Sequence, residues 1–100
     1  MEKILIVDDS AVQATQLKLI LDTDYDITVV QTGEEGLRQA SSGEYSLILL
    51  DVVMPGMDGF MLLKRLQEEV VTHHIPVILI TSLADIESEQ HGLMLGAVDY

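Results

Sequence analysis

Three places along the chain set acidic or hydroxyl side chains directly after a run of aliphatic residues. Asp8-Asp9 follows Ile4–Val7, Asp51 follows Leu47–Leu50, and Thr81-Ser82 follows Val77–Ile80. An acid after such a run is often no more than a helix cap or turn former. Three converging acids are another matter. Two carboxylates ~5 Å apart repel by about 3 kcal/mol at an effective dielectric near 20. A cluster of three would weigh heavily on a domain whose whole stability is about 5–10 kcal/mol. A hard divalent cation relieves that repulsion. Ligands that are all oxygen, with no His or Cys, favour Mg²⁺, which keeps several waters and leaves room for a phosphate oxygen. A carboxylate beside such a cation can act as a nucleophile toward a phosphoryl group, and the Thr81 hydroxyl can donate to a phosphoryl oxygen.

For these residues to meet, the elements that carry them must bring their ends together. Four apolar runs of strand length recur: Ile4–Val7, Ile27–Val30, Leu47–Leu50 and Val77–Ile80. They are continuous rather than alternating, the pattern of strands buried on both faces of a parallel sheet. Helical patterns lie between them. The first spans about Ala11 to Leu21, with Ala14, Leu17 and Leu21 on one face and Ser10 with Gln13 as a capping box. The second opens at Thr32, paired with Glu35, and turns Gly33, Gly36, Leu37 and Ala40 inward. A third, from near Asp58 to about Val70, is expected to bury Leu63, Leu66 and Val70. A fourth, about Asp85 to Leu95 with Gly96 ending it, offers only Ile86 to a core over Asp85–Gln90 and is expected to be mobile. Strand and helix alternating at this spacing give a doubly wound α/β fold with right-handed crossovers. Ligands of such sheets bind beyond the carboxyl ends of the strands. With strands one, three and four as neighbours, the acids and Thr81 would share one cleft.

The composition agrees with a single small domain. The chain has 100 residues, 48% of them hydrophobic, which is enough for one core without disulfides. Seventeen acidic residues against five basic ones leave a net charge of −12, which argues against binding nucleic acid or an anionic membrane. The absence of cysteine excludes a thiol nucleophile and a thiolate metal site. Apolar runs of at most four residues build neither a signal peptide nor a membrane span, so a soluble cytoplasmic domain is expected.

At this point the sequence resembles the receiver domain of two-component response regulators. The matching stretches are ILIVDDS at 4–10, LILLDVVMPGMDGF at 47–60, PVILITS at 76–82 and LGAVDY at 95–100. The resemblance implies a flavodoxin-like parallel sheet of order 2-1-3-4-5 with five helices. It implies that Asp51 is the phosphoacceptor and that Asp8 and Asp9 serve Mg²⁺, with Asp9 the direct ligand. Asp51 and the backbone carbonyl of Val53 would add metal oxygens. Thr81 would be the hydroxyl that moves toward the phosphoryl group, Ser82 would keep the pocket open, and Tyr100 would be the switch aromatic. Pro55, Gly56 and Gly59 would shape the loop after Asp51. The implied partners are a sensor histidine kinase or phosphotransfer protein as donor and an output domain or downstream protein as receiver of the signal. Such a domain catalyses its own phosphorylation and slow dephosphorylation without being a turnover enzyme in the usual sense.

The family's lysine, about three residues beyond the switch aromatic, falls past Tyr100. The reading therefore expects a domain truncated before strand five and helix five are complete, with partly wet surfaces on helix one and the sheet, and open to dimerisation or strand exchange. Lys3, placed before strand one, and Lys18 and Lys64, within helices, do not replace that lysine. An aspartyl phosphohydrolase would need a second acid two residues after its nucleophile, where Val53 and Ser10 stand instead. A pseudo-receiver, a docking module that is never phosphorylated, is the remaining alternative. Val53 and Leu83, two residues after Asp51 and Thr81, cannot hydrogen-bond an attacking water, so a long-lived phosphoryl group is expected. His73-His74 reads as a solvated turn, His91 as surface, Met54 and Met57 as lining the loop by the site, and Phe60 as packing under helix three.

Overall fold

The computed structural model describes residues 2–51 and 59–80. Four strands form one parallel sheet: β1 (Lys3–Val7), β2 (Asp26–Val30), β3 (Leu47–Asp51) and β4 (Val77–Ile80), in the order β2-β1-β3-β4. Three helices make the crossovers: α1 (Ala11–Leu21), α2 (Gly33–Ser42) and α3 (Gly59–Glu68). The order reverses at β1, because α1 carries the chain to one side of it and α2 carries it back to the other. The cleft that such a reversal leaves lies beyond the carboxyl ends of β1 and β3.

Strand residues alternate between two cores, as their period of two requires. Leu5, Val7, Ile48, Leu50, Val77 and Leu79 point to the side covered by α2 and α3, where Ala40, Leu62, Leu63 and Leu66 close over them. Ile4, Ile6, Ile27 and Leu49 point to the α1 side, against Ala14 and the partly buried Leu17 and Leu21. Each fully buried leucine contributes about 1.5–3 kcal/mol. Gly36 allows α2 to approach β1, since a Cβ there would sit 2.9 Å from Val7 Cγ2 and 3.2 Å from Leu62 Cδ2. The α1 side keeps an apolar groove of about 330 Å³ between Ile4, Leu21, Tyr25, Leu47, Leu49 and Ile78, and Val12, Leu19 and Ile20 are exposed on the helix.

Both expected N-cap hydroxyls are engaged, but the Ser10 amide goes to Asp8 Oδ1 instead of the Gln13 side chain, so the expected capping box there is only half formed. The Ser10 hydroxyl accepts from the Gln13 amide at 3.2 Å, and the Thr32 hydroxyl accepts from the Glu35 amide at 3.1 Å. The third helix differs from expectation at its end. It stops at Glu68, and Val70 is 82% exposed rather than buried. The chain leaves the helical path there because Thr72, fully buried, donates its hydroxyl to the Leu66 carbonyl at 2.7 Å and so takes up a free helix-end acceptor. Leu62 fills the inner face instead, and Phe60 packs against the same core. His73 and His74 are exposed, as a solvated turn requires. Lys3 opens β1 rather than preceding it, with Nζ 5.0 Å from the centroid of the buried Tyr45 ring. The fourth helix, with Ile86 and His91, and Asp58, Met54 and Met57 lie outside the described residues.

Candidate metal and phosphoacceptor site

Register brings the acids together. Val7 pairs with both Val30 and Leu50, so the residues that follow Val7 and Leu50 emerge at the same end of the sheet. Asp51, the last residue of β3, is still in the ladder, opposite Ile80 of β4. Asp8 continues β1 by one hydrogen bond, its amide donating to the Val30 carbonyl at 3.0 Å. Asp9 then lies in the turn that leads to Ser10 and α1.

The three carboxylates meet. Asp8, Asp9 and Asp51 each offer an oxygen, and these oxygens all lie within 4.8 Å of one another. Their surroundings differ. Asp8 is fully buried, Asp51 is half-buried and Asp9 is exposed. The two oxygens of Asp8 differ as well. Oδ1 accepts from the Ser10 amide at 2.9 Å, whereas Oδ2 is buried with no hydrogen-bond partner. A buried acceptor left unsatisfied costs about 1–3 kcal/mol, more when it carries charge. An orphaned, buried carboxylate oxygen beside two further carboxylates is what a hard, oxygen-seeking cation would satisfy. The residues present therefore fit a small divalent cation.

Of the residues singled out in the sequence, Asp8, Asp9 and Asp51 are brought to one point; Val53, Thr81, Ser82 and Tyr100, with Pro55 and Gly56, lie outside the described residues. The sequence reading passed over the backbone amide of Ser10 as a partner of Asp8. Its signal is local: an Asp two residues before a serine helix cap can close an Asx turn onto that residue's N–H.

Comparison with known proteins agrees with this geometry. The response regulator receiver domain family matches residues 4–100. The chain is 42% identical, over its full length, to the transcriptional regulatory protein CiaR of Streptococcus pneumoniae, of which it spans 44%. It is 38% identical over 98% of its length to the response regulator PleD of Caulobacter vibrioides, spanning 22% of that protein. The chain thus covers less than half the length of these relatives. Among solved structures, a response regulator from Chloroflexus aurantiacus superposes with a TM-score of 0.93 at 34% identity, covering 99% of this chain and 82% of that one. The chain belongs to the response regulator receiver domain family of two-component systems, and its sheet has the flavodoxin-like order of that family as far as β4.

Among the described residues, no helix is long and apolar enough to cross a membrane.

Proposed function

We propose that this domain accepts a phosphoryl group on Asp51, with Mg²⁺ held by Asp8, Asp9 and Asp51, and thereby switches an output partner. The observation that carries the reading is the approach of the three carboxylates, one oxygen from each lying within 4.8 Å of the others, together with the buried, unpartnered Oδ2 of Asp8. An Asp51 carboxylate oxygen attacks the phosphorus of a phosphohistidine. The new O–P bond forms as the N–P bond breaks, and the donor imidazole leaves with the bonding pair. When bound, Mg²⁺ neutralises charge on the transferring oxygens and cancels the repulsion between the acids and the incoming anion. Asp51 sits at the end of a paired strand, so its carboxylate is held in position for attack instead of being ordered at the moment of reaction.

The carbonyl of Val53 completes the metal oxygens in this reading. Thr81, next in sequence to the residue opposite Asp51, supplies the hydroxyl for the phosphoryl group, with Ser82 beside it and Tyr100 as the switch aromatic. The donor is a sensor histidine kinase or phosphotransfer protein in the cytoplasm. The relative CiaR is named a transcriptional regulatory protein, which supports an output domain or a downstream protein as the receiver of the signal. With a net charge of −12 the domain itself does not contact nucleic acid.

The test is incubation with acetyl phosphate and Mg²⁺ followed by intact-mass measurement. A phosphoryl adduct is expected on the unaltered protein, absent without Mg²⁺ and absent in Asp51→Asn. An unaltered protein that takes no adduct from acetyl phosphate or from a phosphorylated kinase would instead be a docking module. An adduct that survives Asp51→Asn would move the acceptor elsewhere.

A further inference from the structure

Among the described residues, α1 is the helix whose composition and position disagree. The other two turn charged side chains outward: Glu34, Glu35 and Arg38 on α2, and Lys64, Arg65 and Glu68 on α3, are all exposed. By contrast, α1 is apolar on both faces. Ala14, Leu17 and Leu21 pack toward the sheet, while Val12, Leu19 and Ile20 face away from it, 70%, 74% and 72% exposed. A helix that is apolar all round is normally covered on every side, and grouped aliphatic side chains in water mark a contact surface. No acid falls within Ala11–Leu21, although the chain carries seventeen.

The outward residues form two i, i+4 ridges, Ala11-Thr15-Leu19 and Val12-Gln16-Ile20, and all six are exposed. Lys18, the single charge of α1, stands to one side of both. Each ridge has its middle at the same level of the helix, Thr15 in one and Gln16 in the other, with aliphatic groups at the two ends. Such a pattern is self-complementary. A two-fold axis through its middle runs two copies of α1 antiparallel and sets Val12 of each against Leu19 and Ile20 of the other. Gln16 then meets its own copy at the axis, where its amide can both donate and accept. The antiparallel sense also separates like charge. Asp8 and Asp9 come just before α1, so the two acid clusters lie at opposite ends of the pair.

We infer that the outer face of α1 docks a second copy of this chain, α1 against α1 and antiparallel. Two copies of net charge −12 approach there with the least repulsion, because neither presents a carboxylate on that helix. The eleven residues of α1 span only ~16 Å. That is too short for the ~800 Å² per partner of a standard interface, so the pair is transient and forms as concentration rises.

Sedimentation equilibrium of the metal-free protein from about 10 µM to about 1 mM covers the range of such an interface. The average mass of the unaltered chain should climb toward twice that of the monomer. Val12→Lys and Leu19→Glu should each hold it near the monomer, with melting temperatures little changed because both sites are exposed. An equimolar mixture of the two variants should associate more than either alone, since the introduced lysine and glutamate then face each other. Gln16→Cys, the sole thiol in a chain without cysteine, should form an intermolecular disulfide on mild oxidation faster than Ser41→Cys on the exposed side of α2. A monomer at every concentration would overturn the pairing; slowed phosphotransfer from a phosphorylated histidine kinase in Leu19→Glu would then give the face to the kinase. A dimer that persists in both variants would overturn it too, moving the contact to an open strand edge or another face. A mixture that recovers nothing would overturn the antiparallel arrangement.

Discussion

Replacing Asp51 by Asn removes one charge from a cluster of three while keeping the shape of the side chain. The gain in metal-free stability can be worked from the geometry. With the oxygens within 4.8 Å, each carboxylate pair repels by about 3.5 kcal/mol at an effective dielectric near 20 and by about 0.9 kcal/mol in bulk water. Asp8 is buried and Asp9 exposed, so the pair with Asp8 lies toward the first value and the pair with Asp9 toward the second. Asp51 itself is only half-buried, and solvent at its exposed side screens both pairs. A net stabilisation of about 1–3 kcal/mol follows. For a domain of this size each kcal/mol is worth about 4–8 °C in Tm, well within reach of a thermal melt followed by circular dichroism. The melts are run in chelated buffer and again with millimolar Mg²⁺. Without metal, Asp51→Asn should melt above the unaltered protein, and Mg²⁺ should raise the unaltered protein more than the variant. Because the effect is Coulombic, the metal-free difference should shrink at ~1 M salt, where the screening length falls to about 3 Å. A variant that melts at or below the unaltered protein without metal, together with no shift on adding Mg²⁺, would refute the clustered-acid argument.

Three further outcomes follow from the same structure and sequence. Val53→Asn combined with Leu83→Glu should speed loss of the phosphoryl group by giving an attacking water polar partners, measured as decay of the intact-mass adduct; an unchanged half-life would place control of the rate elsewhere. Gly36→Ala should lower Tm, because a Cβ 2.9 Å from Val7 Cγ2 overpacks the α2–β1 contact by about 1–3 kcal/mol against roughly 1 kcal/mol of helix propensity gained. Thr72→Val keeps the shape but leaves the Leu66 carbonyl unbonded, a loss of about 1–2 kcal/mol in urea unfolding; a neutral result would mean that water replaces the hydroxyl.

Much of this architecture is written in short local signals. The aliphatic runs at Ile4–Val7, Leu47–Leu50 and Val77–Ile80 mark strands buried on both faces, and the hydroxyls of Ser10 and Thr32 mark helix starts to the residue. Convergence of Asp8, Asp9 and Asp51 was also accessible, because in a doubly wound sheet the strand order alone decides which strand ends are neighbours. Val70 misled because apolar spacing continues past Glu68, whereas the helix is ended by a tertiary contact, the buried Thr72 hydroxyl, that no helical period announces. Leu62 escaped because Phe60-Met61-Leu62-Leu63 is apolar without a break, so periodicity does not single out its inner face. The unequal burial of Asp8 and Asp9 was likewise hidden. Adjacent acids look equivalent in sequence, and only the bond from the Asp8 amide to the Val30 carbonyl shows that the first still belongs to the sheet.

The placement of β1 and β3 inside the sheet has a consequence for how the molecule opens. Each of these strands has a hydrogen-bonded neighbour on both sides, and their pairings join segments far apart in the chain, Ile4 with Leu47 and Ile48 with Val77. Their amides should therefore exchange with deuterium only through large-scale opening, while those of β2, an outer strand with half-buried residues, exchange through local fraying. Asp8 and Asp51 are the continuations of those two inner strands. The carboxylates are thus rooted in the part of the chain that is last to come apart, and fraying of the outer strand leaves the acid cluster in place.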